Sequence, residues 1–180
     1  MRDSITEIST KRQLAVAWGL VGFLALLAKA IIGLSIVSWQ AFQYELTLAH
    51  WSVLISNIAF MAYTEGYRGF QKKFAPRMAA RVKHLTTSQQ KNELLLAPLF
   101  CMCLFNAPKI RIVTSYILLV AIVCLVILFR SLPQPWRGIL DAGVVIGLLW
   151  GSLSIIWFSY REFLDPQYSA DPELANNTVT

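Results

Sequence analysis

Residues able to do chemistry are few in this chain, and the most conspicuous stand in apolar surroundings. Lys29 is flanked by ALLA and AIIG, Asn57 by LIS and IAF, and Asp141 by GIL and AGV. A charge at membrane depth costs on the order of 3 kcal/mol, so it is held by a partner, snorkels to water or serves a path. Gly22, Ala25, Lys29 and Gly33 share one helical face, which is expected to turn the lysine into a bundle, where Asp141 or Asn57 could meet it. The alternative for Lys29 is a stem that reaches outward to water. Asp141 can also stand without a partner, because an acid in the first turn of a helix is favoured by unpaired N–H groups. Taken together, Lys29, Asn57 and Asp141 would line the path of a small transporter or channel.

A second constellation, Glu65, Arg68 and His84, would suit an enzyme acting on lipid headgroups, although a local Glu65–Arg68 charge pair is the simpler reading. Cys101-Met102-Cys103 suggests soft-metal or redox chemistry, but a Cys-x-Cys step lacks the usual ligand spacing. The chain has only two histidines, His50 and His84, which also speaks against a haem bundle. No Ser-His-Asp set, phosphate loop, dinucleotide fingerprint or paired-carboxylate site is legible. No catalytic residue, metal or cofactor is therefore assigned. Three cysteines, the third being Cys124, cannot all pair, and no disulfide framework is expected.

The elements that must position these residues are membrane helices. Of 180 residues 56% are apolar, and they come in blocks rather than at amphipathic spacing. A helix crossing the hydrocarbon needs roughly 20 apolar residues. Residues 14–39, 46–64, 112–129 and 138–160 come near that, predicting an all-α membrane domain, 14–160, built as a four-helix bundle. Lys11 and Arg12 before the first run, with Ala28-Lys29-Ala30, resemble a signal peptide, but the apolar stretch is too long and an uncleaved helix is expected.

Orientation follows from the sixteen Lys and Arg residues. The link 40–45 carries none, whereas the loop 65–93 carries seven: Arg68, Lys72, Lys73, Arg77, Arg81, Lys83 and Lys91. Lys and Arg collect in cytoplasmic loops, so the N-terminal segment 1–13, the basic loop and the tail are placed inside. Trp39, Trp51 and Trp136 then fall at outer ends, and Trp157 with Tyr160 at an inner end, as interfacial aromatics should. A bacterial inner membrane, with both termini cytoplasmic, is the expected location.

The apolar run of segment 94–111, Leu94 to Phe105, is too short to cross and, with Pro98 inside, predicts an interfacial or re-entrant segment. The alternative is a fifth span, which the charge distribution opposes. The acidic tail 161–180 predicts disorder. Its Asn176-Asn177-Thr178 acceptor pattern is discounted for a cytoplasmic tail.

Within the basic loop, Phe70, Phe74, Met78, Val82 and Leu85 recur as a helical stripe edged by cations. An amphipathic helix in the headgroup region would set Arg68, Lys72, Lys73, Arg77, Arg81 and Lys83 against anionic lipids. The plainer reading is a topology determinant packed against the spans. Pro76 places the start of the main helix near itself. Gly143, Gly147 and Gly151 form a small-residue stripe, and with Gly22 and Gly33 they predict close helix contacts. The neighbour would be the first span or another subunit, so a membrane-protein partner or homo-oligomer is expected.

The net charge of +6 is explained by insertion, so no nucleic acid is expected. With so few polar residues inside the spans, the leading expectation is a non-enzymatic scaffold or accessory subunit of a membrane complex. The transporter comes next and the headgroup enzyme third.

Overall fold

The computed structural model describes residues 2–165 and 167–175. The Asn176-Asn177-Thr178 triplet lies outside the described residues. Among them all regular structure is helical: α1 Arg2–Ala41, α2 Leu48–Met61, a π-type segment Ala62–Phe74, α3 Ala75–His84, α4 Lys91–Leu95, α5 Ala97–Cys101, α6 Lys109–Arg130 and α7 Trp136–Leu164. Three helical stretches are long and apolar enough to cross a membrane: Thr10–Ala41, Lys109–Arg130 and Trp136–Leu164. They contain three of the four expected spans.

The remaining one, 46–64, differs from expectation. Its α-helical part has 14 residues, about 21 Å at 1.5 Å per residue, against a hydrocarbon core of about 30 Å. The chain then continues as the wider π-type winding. Thr47 starts α2, its N–H donating to Nδ1 of His50 at 3.1 Å. His50 is thereby a helix-capping residue. Pro76 stands in the first turn of α3, which follows the π-type segment directly.

The chain forms two compact units. The first takes the residues up to Ala25, Ala75–Leu118 and those from Ile155 on. Its core is α3, where Ala75, Met78, Ala79, Ala80 and Val82 are all buried, together with Leu85 just after it and Ala97, Phe100 and Cys101 of α5. Met78, Val82 and Leu85 of the stripe read from the sequence are thus covered by protein. Gly19 and Gly22 of α1 let α5 approach. A Cβ on Gly19 would lie 3.2 Å from Cys101 Sγ and 3.3 Å from Ala97 Cβ, and one on Gly22 would lie 3.1 Å from Pro98 Cγ.

Residues 94–111 do not form a continuous helix. α4 and α5 are five residues each, and Cys103 and Asn106 adopt left-handed backbone at φ 58° and 48°. Asparagine tolerates that region better than most residues. Leu95, Leu96 and Leu99 remain exposed.

The second unit takes Leu26–Phe74 and Leu119–Ser154. Here the glycine stripe of α7 is covered by α2 and the π-type segment of the same chain. The Cβ positions of Gly143, Gly147 and Gly151 would meet Asn57, Glu65 and Phe70 respectively. A Cβ on Gly66 would likewise lie 2.9 Å from Trp150 Cβ. Gly33, by contrast, faces open space. α6 has no buried residue.

Candidate functional site

The densest polar cluster lies in the first unit, around α3. Arg81 is fully buried, because the residues flanking it on α3 are covered on nearly every side. Its guanidinium has five N–H groups, and main-chain carbonyls take them. Nε donates to Pro172 O at 2.8 Å, Nη1 to Phe100 O at 2.6 Å and Phe105 O at 3.4 Å, and Nη2 to Asn106 O at 2.7 Å and Glu173 O at 3.1 Å. The Phe100 ring stacks 4.5 Å from the guanidinium carbon. Burial lowers the Arg81 pKa from its ordinary value, yet an arginine begins so high that it stays charged. Arg81 thus locks three pieces of chain together: α5, the turn before α6 and the tail.

A carboxylate stands beside it. Glu93 is buried; Ser88 Oγ donates to its Oε2 and Asn106 Nδ2 to its Oε1. His84 Nε2 approaches the same carboxylate at 3.5 Å. In this arrangement serine and histidine both address the acid. A nucleophilic triad needs the histidine between the other two, so the cluster has the residue types of a hydrolase without its order. Cys101 and Cys103 are buried free thiols. Burial pushes the Cys101 thiol up to about 12, which makes it a small apolar core residue instead of a thiolate. Among the described residues no three His, Cys, Asp or Glu side chains are grouped to hold a metal.

Acidic residues of the tail close the cluster. Glu173 meets Arg77 at 3.4 Å, and Arg111 Nη2 donates to it at 3.1 Å. Glu162, buried at the end of α7, accepts from Lys83 at 3.3 Å and from the Ala170 N–H at 3.1 Å. The Arg161 side chain hydrogen-bonds Asp165 and holds its carboxyl below the usual range. Composition reads this tail as disordered, whereas its described part, 167–175, is fastened by these contacts. Glu173→Gln is expected to weaken the attachment by about 1 kcal/mol, a value kept small because solvent reaches Arg111 and Glu173. Limited proteolysis near Tyr168 should accelerate a few-fold.

The other expected residues are placed as follows. Lys29 is exposed on α1 instead of turned into a bundle. Asp141 is buried and its ion pair is with Arg137, one turn earlier on α7, at 3.9 Å, so the expected Lys29–Asp141 pair is not formed. Asn57 serves packing, its Nδ2 donating to Ile139 O at 3.0 Å and Leu140 O at 3.1 Å. Of the six cations assigned to headgroups, Arg68, Lys72 and Lys73 are exposed, and Lys72 lies 4.6 Å over the Tyr67 ring. Arg77 and Lys83 instead pair within the protein, and Arg81 is a correction outright, since a fully buried guanidinium cannot meet a lipid. Glu65 and Arg68 belong to the second unit and His84 to the first. Gly22, Gly143, Gly147 and Gly151 make the expected close contacts, and Gly33 makes none.

Sequence reasoning passed over Glu93, Ser88, Asn106 and Glu173. A signal existed for Glu93, an acid at the edge of the apolar run LLLAPLF. None existed for the acceptors of Arg81, because every residue carries a carbonyl. No protein-family model, curated protein or solved structure matches the chain.

Proposed function

We propose that this chain is a four-span membrane protein with both ends cytoplasmic, acting as a non-enzymatic scaffold or accessory subunit of a membrane complex. Its three long apolar helices are compatible with a multi-pass membrane protein. The fourth span is α2 continued by the π-type segment. Asn57, Glu65 and Phe70 follow Gly143, Gly147 and Gly151 in order, so this stretch runs in the same direction as α7, as an inward-running second and fourth span must. In the second unit the outer aromatics also collect together, with Trp39 and Trp51 both packed on Phe42 and His50 on Trp136 at 4.5 Å.

One observation carries the scaffold reading. The polar side chains of the first unit are turned on one another and on the backbone, as at Arg81, Glu93, Glu162 and Glu173. They hold the fold instead of leaving a base and a nucleophile free. Meanwhile α6 offers an apolar helix bare on its flanks, with Ile117, Val120, Ile127 and Leu128 exposed. That is the surface a neighbouring span would cover.

The test is photo-crosslinking from single positions around α6 in the native membrane, joined to native mass spectrometry of the gently extracted protein. Expected are cross-links to one polypeptide from one face of α6 only, and a complex of fixed stoichiometry. Lipid adducts from every face with a bare monomer would overturn the reading.

A further inference from the structure

Two features follow one another along a single face of α2 and the π-type segment. The first is an open groove of about 580 Å³ lined by Ser52, Val53, Ser56, Asn57, Phe60 and Leu140. The second is a recess of about 200 Å³ lined by Thr64, Arg68, Gly69 and Lys73. Ser52, Ser56, Phe60 and Thr64 succeed one another at intervals of four, so groove and recess are about one helical turn apart.

The groove is less polar than its composition. Ser52 Oγ donates back to Leu48 O at 2.9 Å, and the Asn57 amide donates to α7 carbonyls. With those donors used internally, what remains suits a hydrocarbon chain.

The recess has the opposite character. Arg68 and Lys73 are exposed, and among the described residues neither has an ion-pair partner. The nearest acid in sequence, Glu65, is turned against Gly147 of α7. Their proximity depends on the winding. Residues five apart on an α-helix point about 140° away from each other, whereas a π-type winding, whose ladder joins i to i+5, brings them round toward the same side. Thr64 with Gly69, and Arg68 with Lys73, are such pairs. Gly69 lines the recess without a side chain of its own.

We propose that this face binds one anionic phospholipid, its phosphate between Arg68 and Lys73 and an acyl chain along Ser52, Ser56 and Phe60. The guanidinium supplies a fork matched to two phosphate oxygens and the lysine a point charge. A π-type segment is an uncommon winding that recurs at functional sites, and here it makes two cations into one site. The inference stands whether or not the chain has a protein partner.

The experiment is native mass spectrometry of the full-length protein in detergent, titrated with phosphatidylglycerol or phosphatidylcholine. The wild-type chain should retain one phosphatidylglycerol and exchange phosphatidylcholine freely. Arg68→Gln with Lys73→Gln should weaken retention about tenfold or more. Ser56→Trp, which fills the groove and removes no charge, should weaken it as well. Lys72→Gln should leave it unchanged, because Lys72 sits over Tyr67 outside the recess, and millimolar inorganic phosphate should not displace the lipid. Equal retention of both lipids, an equal effect of Lys72→Gln, or full retention by Ser56→Trp would each overturn the site in favour of diffuse surface charge or a phosphate-only recess. Should the double variant fail to insert, the Ser56 and Lys72 variants still decide.

Discussion

Arg81→Met is expected to destabilise the first unit by about 3–5 kcal/mol, as removal of one side of a buried charged network does. Methionine matches the arginine stem in bulk, so the packing of Met78, Val82 and Leu85 around it should survive. What disappears are the donors to Phe100, Asn106, Pro172 and Glu173 carbonyls, each of which costs about 1–3 kcal/mol if left buried and unpaired. Total stabilities are commonly about 5–15 kcal/mol, so the loss would be a large share. Thermal unfolding in detergent should fall sharply, and protease should cut the tail near Tyr168 long before the helices. Arg81→Lys retains the charge but not the fork and should land between the two. A wild-type melting profile and an intact tail in Arg81→Met would show that the carbonyls find other donors.

The second large effect lies in the glycine seam of α7. A Cβ on Gly151 would stand 2.5–2.8 Å from the Phe70 ring, and one on Gly138 would stand 2.6 Å from Ala41 Cβ and 2.8 Å from Val37 O. Real side chains do not approach so closely, so the helices must part. Gly151→Ala and Gly138→Ala should each destabilise the second unit by about 1–3 kcal/mol, the usual range for overpacking. Gly138 is the worse case, because a backbone carbonyl cannot rotate aside. Gly143→Ala would push on the Asn57 amide and break its bonds to Ile139 and Leu140. Gly33→Ala is the control: with open space around it, it should be neutral or gain up to about 1 kcal/mol from helix propensity. Equal melting temperatures across the four variants would remove the seam as a packing determinant.

Not every residue of the candidate site was hidden in the sequence. The glycine stripe announced close contact through its spacing, since small residues on one face have that consequence wherever the helix ends up. Its partner was not legible. The first span carries small residues too, and only the packed chain selects α2 with Asn57 and the π-type segment with Glu65 and Phe70. Lys29 illustrates the reverse error: its small-residue face suggested burial, but Gly33 on that face has no neighbour and the lysine is exposed.

Long apolar runs, the onset of α3 at Pro76 and the interruption at Pro98 were determined by the sequence itself, because each follows from the needs of a residue's own backbone or its immediate neighbours. Block length against bilayer thickness is such a local requirement, and so is proline's missing donor. Tertiary structure alone decided that α3 is a buried core helix, that Arg81 is held by five carbonyls instead of by lipid, that the acidic tail is fastened at Glu173, and that a π-type winding sets Arg68 beside Lys73. Most of those outcomes depend on main-chain acceptors and on contacts between distant segments, such as Arg81 with Pro172 and Arg111 with Glu173. Residue type and local spacing carry no trace of them, since a carbonyl is common to every position and a charged stripe reads the same whether protein or lipid covers it.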